Sequence, residues 1–118
     1  MNNNKIYIKE LCNENKIIVK PLEVVADVTK SDDLNRLLNE TINTFGRLDV
    51  LVNNAGIAPN VGVRDKNFIP VFDKIIATNL RAYLELSHLS VPYLEQTNGT
   101  IISISSDVST HPVNTNNQ

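Results

Sequence analysis

The chain has 118 residues, enough for one small domain and too few for two. A net charge of -2 and an isoelectric point of about 5.6 give it no basic face, which argues against nucleic acid and anionic membrane as partners. At 42% hydrophobic it has material for a core, yet no apolar stretch approaches the roughly 20 residues that span a bilayer.

The opening Met1-Asn2-Asn3-Asn4-Lys5 leads into no signal-peptide core. Residues 5–14 set Ile6, Ile8 and Leu11 among charged neighbours, which fits the tail of a helix or a short strand, and Lys16 to Lys20 is equally open. Cys12, the single cysteine, cannot close an internal disulfide and has no neighbouring His to make it a nucleophile. It reads as a bland helical thiol in a reducing compartment, so a cytoplasmic setting is expected. The sequons at Asn39 and Asn98 are then incidental.

Leu22 to Val28 is short and β-branched, and is expected as a strand. Thr29 stands where it can cap a helix, with Asp32 three positions later in the reciprocal box. Leu34, Leu37, Leu38, Thr41, Ile42 and Phe45 then recur at helical spacing as one face for covering a sheet. Gly46 follows where a helix end takes left-handed backbone. Next, Leu48-Asp49-Val50-Leu51-Val52 is a short apolar run of the kind buried on both faces of a parallel sheet. It passes straight into Asn53-Asn54-Ala55-Gly56, at the end of the strand where open α/β sheets hold their ligands.

After a loop carrying Pro59 and Gly62, Asn67 is expected to start a long helix, with Pro70 tolerated in its first turn. Phe72, Ile75, Ile76, Asn79, Leu80, Tyr83, Leu84 and Ser87 trace one stripe along it, and Pro92 predicts a kink or a stop. Asn98-Gly99 makes a tight turn into a strand, Thr100 to Ser105. Residues 109–118 have no periodicity and are expected as a loose tail. Strand, helix, strand, helix, strand is the alternation of a doubly wound α/β sheet.

Three places could carry chemistry. Asn79 is a carboxamide in an apolar stripe, and an inward amide must find partners or cost about 1–3 kcal/mol. By itself it reads first as a structural Asn satisfying strand or loop carbonyls. Ser105 and Ser106 close the last strand, where serines ordinarily cap turns or bond to backbone. Asp27 ends the first strand, equally suited to capping the next helix and to meeting a ligand. His88 and His111 pair with no nucleophile, cysteine or second His, so neither a hydrolytic triad nor a metal site is expected.

Asn53-Asn54-Ala55-Gly56 resembles the signature of the short-chain dehydrogenase/reductase family, which uses a nicotinamide cofactor. Asp27-Val28, Asn79 and the Ser105-Ser106 pair ending their strand match further family motifs, in order and properly spaced. The resemblance implies a partial Rossmann-like doubly wound parallel sheet of three strands with two or three helices, an incomplete NAD(P)-binding domain over residues 1–118. It implies that Ser106 bonds the substrate oxygen and that Asn79 holds a water of the proton relay and bends its helix. It further implies that Asp27 and Val28 meet the adenine, that Asn53, Ala55 and Gly56 line the cofactor's ribose side, and that Asn54 stabilises the sheet. Asp107 follows where the family often has a small apolar residue.

Two parts of the family pattern have no counterpart in this sequence. No Gly-rich phosphate loop is present, Gly46 being the earliest glycine, and no Tyr-x-x-x-Lys follows Ser106. Tyr7, Tyr83 and Tyr93 all precede that serine, and no lysine follows Lys74. The expectation is therefore a fragment of an NAD- or NADP-dependent oxidoreductase that interconverts a small-molecule carbonyl and an alcohol. Alone, it should bind the cofactor weakly or not at all and show no turnover. In the doubly wound strand order the two strands between the Asp27 strand and the Asn53 strand are absent, so the first strand should lack a partner. The parent is expected to be a homo-oligomer. Two other readings are open: a non-catalytic interaction protein using the 67–97 helix, and a methyltransferase-like domain, which would not need Asn-Asn-Ala-Gly.

Overall fold

The computed structural model describes residues 20–106; the readings placed on residues 5–14 and 16–19, on Cys12, Asp107 and His111, and on the 109–118 tail lie outside them. The described chain forms helix α1 (Ser31–Phe45), strand β1 (Val50–Asn53), helix α2 (Phe68–Ile76), a π-helical turn (Ala77–Arg81), helix α3 (Ala82–Thr97) and strand β2 (Thr100–Ser103). The two strands pair in parallel, Val50 opposite Thr100 and Asn53 opposite Ser103. A parallel pair needs a long crossover, and α2 through α3 supplies it. Helix α3 packs on both strands and α1 packs on α3, so the α/β layering is that of a partial doubly wound domain.

Residues 22–28 are not a strand. A strand exists through its ladder, and among the described residues nothing pairs with this segment. Its polar groups are tied to α1 instead. Arg36 Nη2 donates to the Val25 carbonyl at 2.6 Å, and the Asp27 N–H donates to Asp33 Oδ2 at 2.8 Å. Val25 itself is 88% exposed.

Helix α1 starts one residue later than expected, with Lys30 as its N-cap and no side-chain cap bond. Thr29 turns back: its N–H and hydroxyl both donate to Asp27 Oδ1, at 3.0 and 2.7 Å. The reciprocal box at Thr29 and Asp32 is thereby replaced by a turn in which Lys30 N–H donates to the Asp27 carbonyl. At the other end Gly46 takes φ 73° and donates to the Ile42 carbonyl, the left-handed cap that its position required. Only Leu34 and Leu38 of the apolar face are fully buried.

Strand β1 buries Leu51 and Asn53 and exposes Val50 and Val52, and every residue of β2 is exposed. The run expected to be buried on both faces is covered on one, because α3 lies on one side and the described residues put nothing on the other. The long helix stripe also differs. Phe72, Ile76, Leu80 and Leu84 are exposed, whereas Thr78, Ala82, Ser90 and Leu94 are buried. Pro92 does not stop α3, which continues to Thr97 with Leu94 buried beyond the proline. The helix ends instead at Asn98, in the left-handed region at φ 49°, with Gly99 N–H donating to the Leu94 carbonyl.

Candidate functional site

The site forms where both strands end. Past Asn53 and Ser103 one further ladder bond forms, Ile104 N–H to the Asn53 carbonyl at 2.9 Å, and then the two chains part. Between them opens a cleft of about 450 Å³. One wall is the loop from Asn54 through Gly56 to Ala58, and the opposite wall is Ile104 to Ser106. Asn79 and Tyr83 form the base.

Asn79 stands in the π turn, where Ala82 N–H donates to the Ala77 carbonyl five residues back. The extra residue of such a turn bulges the helix locally, a feature frequent at functional sites. Both ends of its carboxamide are engaged with one residue. Oδ1 accepts from Ile57 N–H at 2.9 Å and Nδ2 donates to the Ile57 carbonyl at 2.8 Å. The amide thus pairs like a short piece of strand and fixes the loop to the helix. A Cβ built on Gly56 would lie 3.7 Å from Asn79 Oδ1, an ordinary contact, so helix packing does not demand glycine there.

The two asparagines of the signature are placed differently. Asn53 is 3% exposed, and its Nδ2 donates to Ser87 Oγ at 3.1 Å and to Ser103 Oγ at 3.5 Å, joining β1, β2 and α3. Asn54 is exposed and lines the cleft. Ala55 and Val28 sit at a second, smaller hollow of about 190 Å³, walled by Leu34, Leu37 and Leu86.

The acidic groups nearby are held ionised by hydrogen bonds. Those from Thr29 hold the Asp27 carboxyl below the usual carboxylate range. Asp33 is lowered by the Asp27 N–H and then by Arg36, and Asp49 by Arg47, which meets it with two hydrogen bonds at 2.9 and 2.6 Å. Asp27 therefore belongs to its own turn first.

The structure thus brings Gly56, Asn79 and Ser106 to one cleft, and Val28, Asn53 and Ala55 to the adjoining hollow. Asp27 lines neither. Of the polar residues that line the cleft, Asn54 was expected to stabilise the sheet and Tyr83 was given no part in the site. The signal for Tyr83 was available: it lies four residues after Asn79, so both fall on one helix face. Among the described residues no group of three or more His, Cys, Asp or Glu could hold a metal, and no helix is long and apolar enough to cross a membrane.

Known proteins resemble the chain in sequence and in fold. The family model for short chain dehydrogenases matches residues 2–117. L-fucose dehydrogenase of Bos taurus is 37% identical over 83 residues, which is 70% of this chain and 31% of that protein. A crystal structure of a short-chain dehydrogenase/reductase of unknown function from Caenorhabditis elegans, solved with cofactor, superposes with a TM-score of 0.73 at 31% identity. It covers 91% of this chain and 42% of its own. The 3-ketoacyl-(acyl-carrier-protein) reductase of Brucella melitensis, complexed with NADH, gives 0.72 at 26% identity over 78% of this chain and 40% of its own. The match spans between about a quarter and a third of the length of the curated relatives. With the family's pattern running from one end of the sequence to the other, the chain belongs to the short-chain dehydrogenases.

Proposed function

We propose that this chain carries the carbonyl-facing middle of an NAD(P)(H)-dependent oxidoreductase that interconverts a small-molecule carbonyl and an alcohol. The observation that supports it best is the shared cleft, where Asn79, Gly56 and Ser106 meet beyond the carboxyl ends of two parallel strands. In this reading the Ser106 hydroxyl donates to the reacting oxygen and polarises it. Asn79 acts through the backbone, holding Ile57 so that the Asn54–Ala58 loop keeps the cleft open at a fixed width. Gly56 and Ala55 keep the rim low enough for a flat ring to lie against it. Asn53, its carboxamide committed to Ser87 and Ser103, contributes by its main chain and by fixing the end of β1.

The residues present fit a nicotinamide dinucleotide in part. The cleft offers hydroxyl, amide and backbone groups beside a small-residue rim. The hollow at Val28 and Ala55 offers an apolar seat. A nicotinamide cofactor would supply the hydride. The sequence contains no Gly-rich loop for the pyrophosphate and no Tyr-x-x-x-Lys for the proton, so binding is weak and turnover by this chain absent. The setting is cytoplasmic.

The full chain tests this. NADH fluorescence should show weak, saturable binding in the millimolar range, abolished by Gly56→Val, which fills the cleft. No saturable binding by the wild-type chain would contradict the site, and cofactor-dependent turnover would contradict its inactivity.

One observation favours a second role. Ile69, Phe72, Ile76, Leu80 and Leu84 form an exposed apolar stripe along α2, the π turn and α3, each between 38% and 64% exposed. A stripe of this kind suits helix-to-helix association between copies, so the same surface can serve a homo-oligomeric enzyme or a non-catalytic interaction protein.

A further inference from the structure

The cleft and the smaller hollow have two lining residues in common, Asn54 and Tyr83. Tyr83 is half-buried one turn beyond Asn79, and among the described residues its hydroxyl makes no hydrogen bond. A phenol at the base of an open cleft with its oxygen unpartnered has that oxygen available to a ligand. Behind it the hollow is walled by Leu34, Leu37 and Leu86, and Asn53 reaches it with only its amide nitrogen bonded. About 190 Å³ is ample for one ring, since an apolar cavity of about 150 Å³ admits benzene.

We propose that Tyr83 sets the depth and the specificity of this site: its ring is the partition between cleft and hollow, and its hydroxyl meets the innermost polar atom of a ring-bearing alcohol or carbonyl compound. With tyrosine in place such a compound stops at the phenol. Without the ring the two spaces join, and a ring-sized extension enters among the leucines. The inference rests on the cleft being the ligand site, and it does not depend on the nicotinamide.

The test compares the full chain with its Tyr83→Phe and Tyr83→Ala variants, using para-fluorobenzyl alcohol as probe and fluorine NMR as readout. Tyr83→Phe keeps the partition and loses the polar contact, so affinity should fall severalfold. Tyr83→Ala opens the hollow, and affinity should rise by about tenfold over wild type. Equal affinities for wild type and Tyr83→Phe would overturn the hydroxyl's role. A folded Tyr83→Ala that binds no better than wild type would overturn the partition. Should Tyr83→Ala fail to fold, Tyr83→Leu keeps apolar volume and should show an intermediate gain; no gain there overturns the partition equally. Loss of the nicotinamide reading would appear as absent NADH binding in the wild type, which leaves this contrast intact.

Discussion

Of the four glycines, Gly99 is the most closely surrounded. A Cβ there would come within 2.6 Å of the Asp49 carbonyl oxygen and 2.7 Å of Leu94 Cδ2. The glycine lets α3 hand over directly to β2, while Thr97 Oγ1 donates to the Leu48 carbonyl at 2.6 Å and holds the start of β1 to the same corner. Gly99→Ala should cost roughly 1–3 kcal/mol in urea unfolding, because the obstacle is backbone and cannot turn aside. An unchanged midpoint would refute the close approach. Asn79→Leu should cost a similar roughly 1–3 kcal/mol and speed amide exchange at Ile57, whose N–H loses its acceptor. Acid acts through Asp27, Asp33 and Asp49. Each is held below the ordinary carboxylate range by hydrogen bonds, so each contributes stability that is complete above that range and lost as the pH falls through the folded value. The urea midpoint should fall below about pH 4, modestly because Asp27 and Asp49 are exposed and Asp33 is only half-buried, and Asp33→Asn should flatten the fall. At this scale much was legible. The glycine cap at Gly46 follows from backbone sterics alone, and a carboxamide in an apolar stripe announces an engaged amide. Which atoms would engage Asn79 was not legible, since Ile57 lies 22 residues away and only the fold brings it near.

The elements show where local pattern stops deciding. Leu22 to Val28 has strand composition and no strand, since a ladder is a property of two segments and among the described residues the second is lacking. The stripe from Phe72 to Leu84 has helical period, and a helix forms there, but periodicity names an apolar face without saying what covers it. The π turn at Ala77–Arg81 shifts the register midway, and Thr78, Ala82, Ser90 and Leu94 are buried while Leu80 and Leu84 are exposed. If that outward face joins two copies, Leu84→Glu should convert dimers to monomers in sedimentation without lowering helicity. Dimers that persist in the variant would place the interface elsewhere.

Across the whole molecule, one helix organises what is described: α3 lies on both strands, on α1, and through the π turn on the cleft. The sheet is covered on one face, and Val50, Val52, Ile102 and Ile104 remain exposed. That is the condition of a domain of which this sequence matches between about a quarter and a third of its relatives' length. The cleft forms all the same, because its parts are local to the two strand ends and the helix between them. The central claim is that Gly56, Asn79 and Ser106 act as one ligand site. Backbone and side-chain amide NMR of the full chain during NADH titration tests it most directly. The resonances of Ile57, the Asn79 carboxamide, Ser105 and Ser106 should move together with a single saturation curve. Shifts confined to a separate hollow lined by Val91, Leu94 and Gly99, at the opposite end of the strands, would contradict it.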